Sequence, residues 1–111
     1  MKYGIYFAYW EHEWGADYHK YIDKVADLGF DILEIGCTPL NDWPKEKLLE
    51  LKRHAADRGI ILTGGYGPAA CYNLASSDPA VRENGKKFYR ELLSRLEIMD
   101  IHVVGGGLYS Y

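Results

Sequence analysis

The property that most constrains this chain is a period. Short apolar runs alternate with helix-patterned segments, and the cycle repeats about every 30 residues, the size of a βα unit in a parallel sheet. The runs are Gly4–Ala8 (GIYFA), Phe30–Ile35 (FDILEI), Ile60–Thr63 and Ile101–Val104. Between the first two, Tyr18, Tyr21, Ile22, Val25 and Leu28 recur at helical spacing over Ala16–Leu28, and Gly29 supplies a stop. Pro44 opens a second helix whose inner face is Leu48, Leu51 and Ala55, ended by Gly59. Asp78 and Pro79 read as N-cap and first helical residue of a third, with Val81, Phe88, Leu92, Leu96 and Met99 on one stripe. Gly85 falls on that stripe and marks a close contact.

The expectation is therefore one α/β domain over residues 1–111, ordered β-α-β-α-β-α-β with parallel strands. Alternation alone leaves closure open: an open doubly wound sheet and half of an eight-stranded barrel both satisfy it. The loops favour the half-barrel. YWEHEWG, GCTPLNDW, GGYGPAACYNLASS and GGGLYSY all follow strands, whereas the helix-to-strand turns (LGF, RGI, MDI) are short and plain. In (β/α)8 barrels the working groups sit on the loops at the C-terminal strand ends.

Composition narrows the partners. A net charge of −3 with no lysine–arginine run argues against nucleic acid or an anionic membrane. No apolar run approaches the ~20 residues that span a bilayer. The N-terminus lacks a signal-peptide cleavage pattern, and Cys37 and Cys71 suit free thiols, so a cytoplasmic location is expected. Ten tyrosines and three tryptophans fit packing and an uncharged polar ligand such as a sugar equally well.

Individual polar residues carry less. Glu11, His12 and Glu13 are consecutive in a loop, point in different directions and do not converge on a metal, so supporting or salt-bridge roles are expected. His19 and His54 read as solvent-facing helix residues, and His102 as structural. Glu34 lies near the end of the second strand, where a carboxylate is often functional. A buried acid must be paired or protonated, and Glu34 is read as a site-supporting residue. The triplet Gly105-Gly106-Gly107 lacks the lysine of a phosphate loop and has no helix after it. It fits backbone held close to an uncharged polyol.

MKYGIYFAYWEHEW, KVADLGFDILEI, GIILTGGYGP and DIHVVGGGLYSY together resemble the ketose 3-epimerases, the D-psicose (D-allulose) and D-tagatose 3-epimerases among the sugar isomerase-like TIM barrels. The resemblance covers essentially the whole chain. It implies the N-terminal part of a metal-dependent barrel enzyme that inverts C3 of a ketohexose through an ene-diolate. It also implies a Mn²⁺ or Co²⁺ ion whose ligands, with the catalytic carboxylates, lie beyond Tyr111. No catalytic or metal-binding residue is then expected in this chain. Substrate contacts are implied for Tyr6, Trp14, Gly65 and Gly107, with the Gly65 position tuning specificity. Two other readings stay open: a related barrel such as a hydroxypyruvate isomerase-like enzyme, and a non-catalytic half-barrel. Strands one and four would both be unpaired edges, so the chain is expected to form a homo-oligomer or to fold poorly alone.

Overall fold

The computed structural model describes residues 1–13 and 15–111; Trp14 lies outside them. Four strands, β1 (Gly4–Tyr6), β2 (Ile32–Gly36), β3 (Ile61–Gly65) and β4 (Val104–Gly105), form one sheet in chain order. Every pairing is parallel. Three helices connect them: α1 (Tyr18–Asp27), α2 (Lys45–Asp57) and α3 (Pro79–Ile98). The register aligns Tyr6 with Glu34, Glu34 with Thr63, Gly36 with Gly65, and Gly65 with Gly105. The C-terminal strand ends thus meet on one rim.

The core lies between one sheet face and the helices. Leu33 and Ile35 of β2 pack against Tyr18, Ile22 and Val25 of α1, Leu48 and Leu51 of α2, and Leu92 and Leu96 of α3, all buried. Each such side chain contributes about 1.5–3 kcal/mol when fully removed from water. Because side chains alternate along a strand, Glu34 is turned to the opposite face, on the same side as Tyr6.

Several boundaries move for physical reasons. β1 stops at Tyr6, and Phe7–Tyr9 turn into a 3-10 helix. Phe7 swings in to full burial over Gly36, where a Cβ would stand 3.2 Å from its ring. α1 starts at Tyr18, not Ala16, because the Asp17 carboxylate caps it by accepting from the amides of His19 (3.1 Å) and Lys20 (3.4 Å). Pro44 precedes α2 as its N-cap residue. β3 extends through Gly64 and Gly65, since glycines pair in a ladder as other residues do. β4 begins later than Ile101, its ladder to β3 starting at Gly64–Val104.

Gly29 and Gly59 take positive φ (84° and 68°) after α1 and α2, and Asp100 takes φ 58° after α3. An aspartate there fills the left-handed stop that glycine fills elsewhere. Gly85 packs directly on the backbone carbonyl of Tyr72, as its place on the α3 stripe suggests.

His19 and His54 are not plain surface residues. Both are half-buried between α1 and α2 and meet Nδ1 to Nδ1, while Nε2 of His54 lies 2.7 Å from the Asp23 carboxylate. Adjacent helices bring together positions that each helix alone would leave in water. His102 is exposed and pairs with Asp100 at 2.7 Å. Cys37 and Cys71 are free thiols, the first buried and the second exposed. No described helix is long and apolar enough to cross a membrane.

Candidate functional site

The C-terminal strand ends surround an open cavity of about 690 Å³. Its floor is built by Tyr6 from β1, Glu34 and Gly36 from β2, and Gly65 from β3; Gly107 and Tyr111 stand on the wall after β4. Four residues singled out in the sequence, Tyr6, Glu34, Gly65 and Gly107, therefore line one space.

Gly65 makes the floor possible. A Cβ there would stand 3.0 Å from Oε1 of Glu34 and 3.2 Å from Cε2 of Tyr6. The neighbouring Gly64 backs onto the Cys37 sulfur in the same way. In the glycine triplet, the residue with no room for a side chain is Gly106, not Gly107. Gly106 has φ +113°, and its Cβ would strike the Tyr66 carbonyl, whereas a Cβ on Gly107 would find nothing closer than 3.9 Å. The triplet thus serves the chain's own packing at Gly106, and leaves bare backbone facing the cavity at Gly107.

Burial pushes the Glu34 carboxyl above the usual carboxylate range. Among the described residues no ion pair offsets that burial. The Tyr6 phenol is raised by burial first, then by the Glu34 and Cys37 charges. The Cys37 thiol is pushed up to about 12, mainly by burial. Tyr6 is then a neutral donor and Cys37 an unreactive thiol at neutral pH. Among the described residues, Glu34 is the one Asp or Glu side chain lining this cavity.

The loop after β1 is held from α1. Tyr21 Oη donates to Glu11 at 2.8 Å, and its ring stacks on Trp10 (5.9 Å, 8°). The Lys24 ammonium caps that indole at 4.5 Å. The Tyr21 hydrogen bond holds the Glu11 carboxyl below its ordinary value. Glu11 therefore anchors the loop. The expected contact of Trp14 falls outside the described residues. Among those residues no group of three or more His, Cys, Asp or Glu could hold a metal ion.

Sequence reasoning missed Thr38, Pro39 and Ser110, which also line the cavity. They belong to the distinctive loops GCTPLNDW and GGGLYSY, so the signal was present at loop level. It lacked residue resolution.

A parallel sheet with helices between its strands and its cavity at the C-terminal strand ends has the architecture of a (β/α)8 barrel segment, and residues 22–109 match the family described as Xylose isomerase-like TIM barrel. The chain belongs to this family. Over its whole length it is similar to the D-psicose 3-epimerase of Enterocloster bolteae, with 56% identity. The crystal structure of D-psicose 3-epimerase with D-tagatose from Clostridium cellulolyticum H10 superposes with a TM-score of 0.97 at 57% identity, covering all of this chain. A crystal structure of D-psicose 3-epimerase in the presence of D-fructose superposes at 0.96 with 50% identity, again over the full chain. The chain spans 38% of the length of each of these relatives. Its sheet and helices are the N-terminal β-α-β-α-β-α-β portion of a (β/α)8 barrel.

Proposed function

We propose that this chain forms the substrate-orienting part of a ketose 3-epimerase, a barrel that interconverts ketohexoses of the D-fructose/D-psicose type at C3. The observation that carries the reading is the convergence of Tyr6, Glu34, Gly65 and Gly107 on one cavity at the C-terminal strand ends, in a chain 56% identical to a D-psicose 3-epimerase. The relatives crystallised with D-tagatose and D-fructose support a ketohexose as the occupant.

In this reading the Tyr6 phenol donates to a sugar hydroxyl. Gly65 and Gly107 let the sugar lie against backbone. Glu34, raised toward its protonated form, hydrogen-bonds into the site and is not the base. Orientation and exclusion of water are this chain's contribution to the barrier. The C3 proton is removed to give an ene-diolate and a proton returns on the opposite face, through carboxylates outside this chain. The Mn²⁺ or Co²⁺ ion that the resemblance implies would have to be held by other residues as well, because no described cluster here fits one.

The test is kinetic. In the full-length barrel that includes this chain, Tyr6→Phe should raise KM for D-fructose about 10-fold, the value of one hydrogen bond to a buried polar partner. An unchanged KM in Tyr6→Phe removes the reading's first contact.

The edges suggest assembly. β1 and β4 each leave one side of their backbone unpaired in the sheet, a template for another strand. Residues 1–111 on their own are therefore expected to associate or to fold poorly, and sedimentation showing a folded monomer at micromolar concentration contradicts this.

A further inference from the structure

We propose that Tyr89 and Asn73 are positioning residues that clamp the loop after β4 into place as a wall of the sugar cavity, an inference that rests on the ketose reading above. The sheet has little hold on this loop. β4 is two residues long, and the last sheet-side contact is the Gly105 carbonyl, which accepts from the Tyr66 amide at 2.9 Å. Beyond it, Gly106, Gly107, Ser110 and Tyr111 line the cavity without belonging to any strand or helix.

Two side chains from elsewhere in the fold take over. Tyr89, on α3, donates its hydroxyl to the Leu108 carbonyl at 2.9 Å. Asn73, on the β3–α3 loop, accepts from the Tyr111 amide at 3.3 Å through Oδ1. The same Oδ1 accepts from the Ala75 amide at 3.0 Å, which fixes the orientation of the Asn73 side chain. Within the loop, the Leu108 amide donates to Gly106 at 2.9 Å. The segment facing the cavity is thus pinned at Leu108 and at Tyr111. The Tyr89 ring is itself held edge-on against Tyr66 (4.9 Å, 87°), and burial keeps its phenol protonated as a donor. Neither Tyr89 nor Asn73 lines the cavity. Their effect on a sugar must pass through the loop.

A pinned wall spares the sugar the cost of ordering it on binding. That saving applies equally to ground state and transition state, so losing it raises KM and leaves kcat nearly unchanged. The test uses Tyr89→Phe, Asn73→Ala and Asn73→Asp in the full-length barrel, with D-fructose as substrate and hydrogen exchange of peptides covering 105–111. Tyr89→Phe and Asn73→Ala should each speed loop exchange and raise KM about fivefold, the equivalent of one net hydrogen bond. kcat should change less than about twofold. Asn73→Asp keeps the acceptor and should restore both readouts. Peptides containing Leu92 and Leu96 should exchange as in the parent, showing an intact core. Unchanged loop exchange in Tyr89→Phe overturns the proposal, as does a fall in kcat with KM constant. A parent barrel that leaves D-fructose unchanged sinks the ketose reading instead, and loop exchange then decides the clamp alone.

Discussion

A Cβ on Gly65 would stand 3.0 Å from Oε1 of Glu34, so the bare backbone at one strand end makes room for the carboxylate on its neighbour. The same Cβ would reach 3.2 Å from the Tyr6 ring. Three strands therefore share one small volume at the cavity floor.

Gly65→Ala should push the Glu34 carboxylate and the Tyr6 ring by a few tenths of an ångström into the cavity. One added methyl in a fitted pocket is worth about 1–3 kcal/mol of discrimination. KM for D-fructose should rise about 10-fold in the full-length barrel. Gly65 has no positive φ, so the backbone tolerates alanine and the melting midpoint should move by less than about 4 °C. Steady-state kinetics and a thermal melt check both halves. A large loss of stability with unchanged KM would mean that Gly65 serves folding and not the cavity.

Glu34 makes the stability of the chain depend on pH. Burial raises its folded pKa above the ordinary value of 4.5. Between the unfolded and folded values the native state binds the extra proton, so Glu34's contribution is full below about 4.5 and is lost as pH rises through the folded value. Glu34→Gln removes that dependence. The urea midpoint of Glu34→Gln, relative to the parent, should rise between pH 4 and pH 7. A difference that is flat or falls over that range contradicts burial as the cause.

Gly85→Ala separates packing from helix propensity. Alanine in mid-helix is favoured over glycine by about 1 kcal/mol, yet a Cβ at Gly85 would drive into the Tyr72 carbonyl and sit 2.9 Å from Leu74 Cδ2. Backbone cannot yield as a side-chain tip does. Overpacking of this kind costs about 1–3 kcal/mol, and urea denaturation should show a net loss. Net stabilisation would mean that the 3-10 helix at Ala70–Tyr72 moves away freely.

Tyr66→Phe should have the opposite sign from most core substitutions. Tyr66 is 4% exposed, and its hydroxyl has no hydrogen-bond partner among the described residues. Its phenol is pushed up to about 12, chiefly by burial. Removing an unsatisfied buried hydroxyl while keeping the ring stacked on Phe88 should leave stability unchanged or raise it by up to about 1 kcal/mol. A loss greater than that in chemical denaturation would reveal a partner for the hydroxyl.

Much of this was legible in the sequence because its signals are local. The βα period, the Asp78 cap and the helix stripes with Leu48, Leu51, Leu92 and Leu96 each depend on residues a few positions apart. The contrast between plain and elaborate loops located the rim at which the cavity opens. What escaped depends on contacts between distant elements. His19 and His54 meet only because α1 lies beside α2, which no spacing within either helix reveals. Phe7 leaves the strand because Gly36 and Tyr18 shape a hole for it. The strict glycine of the triplet is Gly106, since the Tyr66 carbonyl that excludes a Cβ arrives from the residue just after β3. Tyr89 reaches the Leu108 carbonyl only because α3 lies under the loop after β4, which no spacing within the helix reveals.

The central claim is that the cavity at the C-terminal strand ends serves inversion at C3 of a ketohexose. The most direct measurement is product analysis by NMR after incubating the full-length barrel with D-fructose, with Mn²⁺ or Co²⁺ present. The account predicts D-psicose as the product, with the carbonyl still at C2. An aldose as the product, or no conversion of D-fructose or D-psicose in either direction, would contradict it.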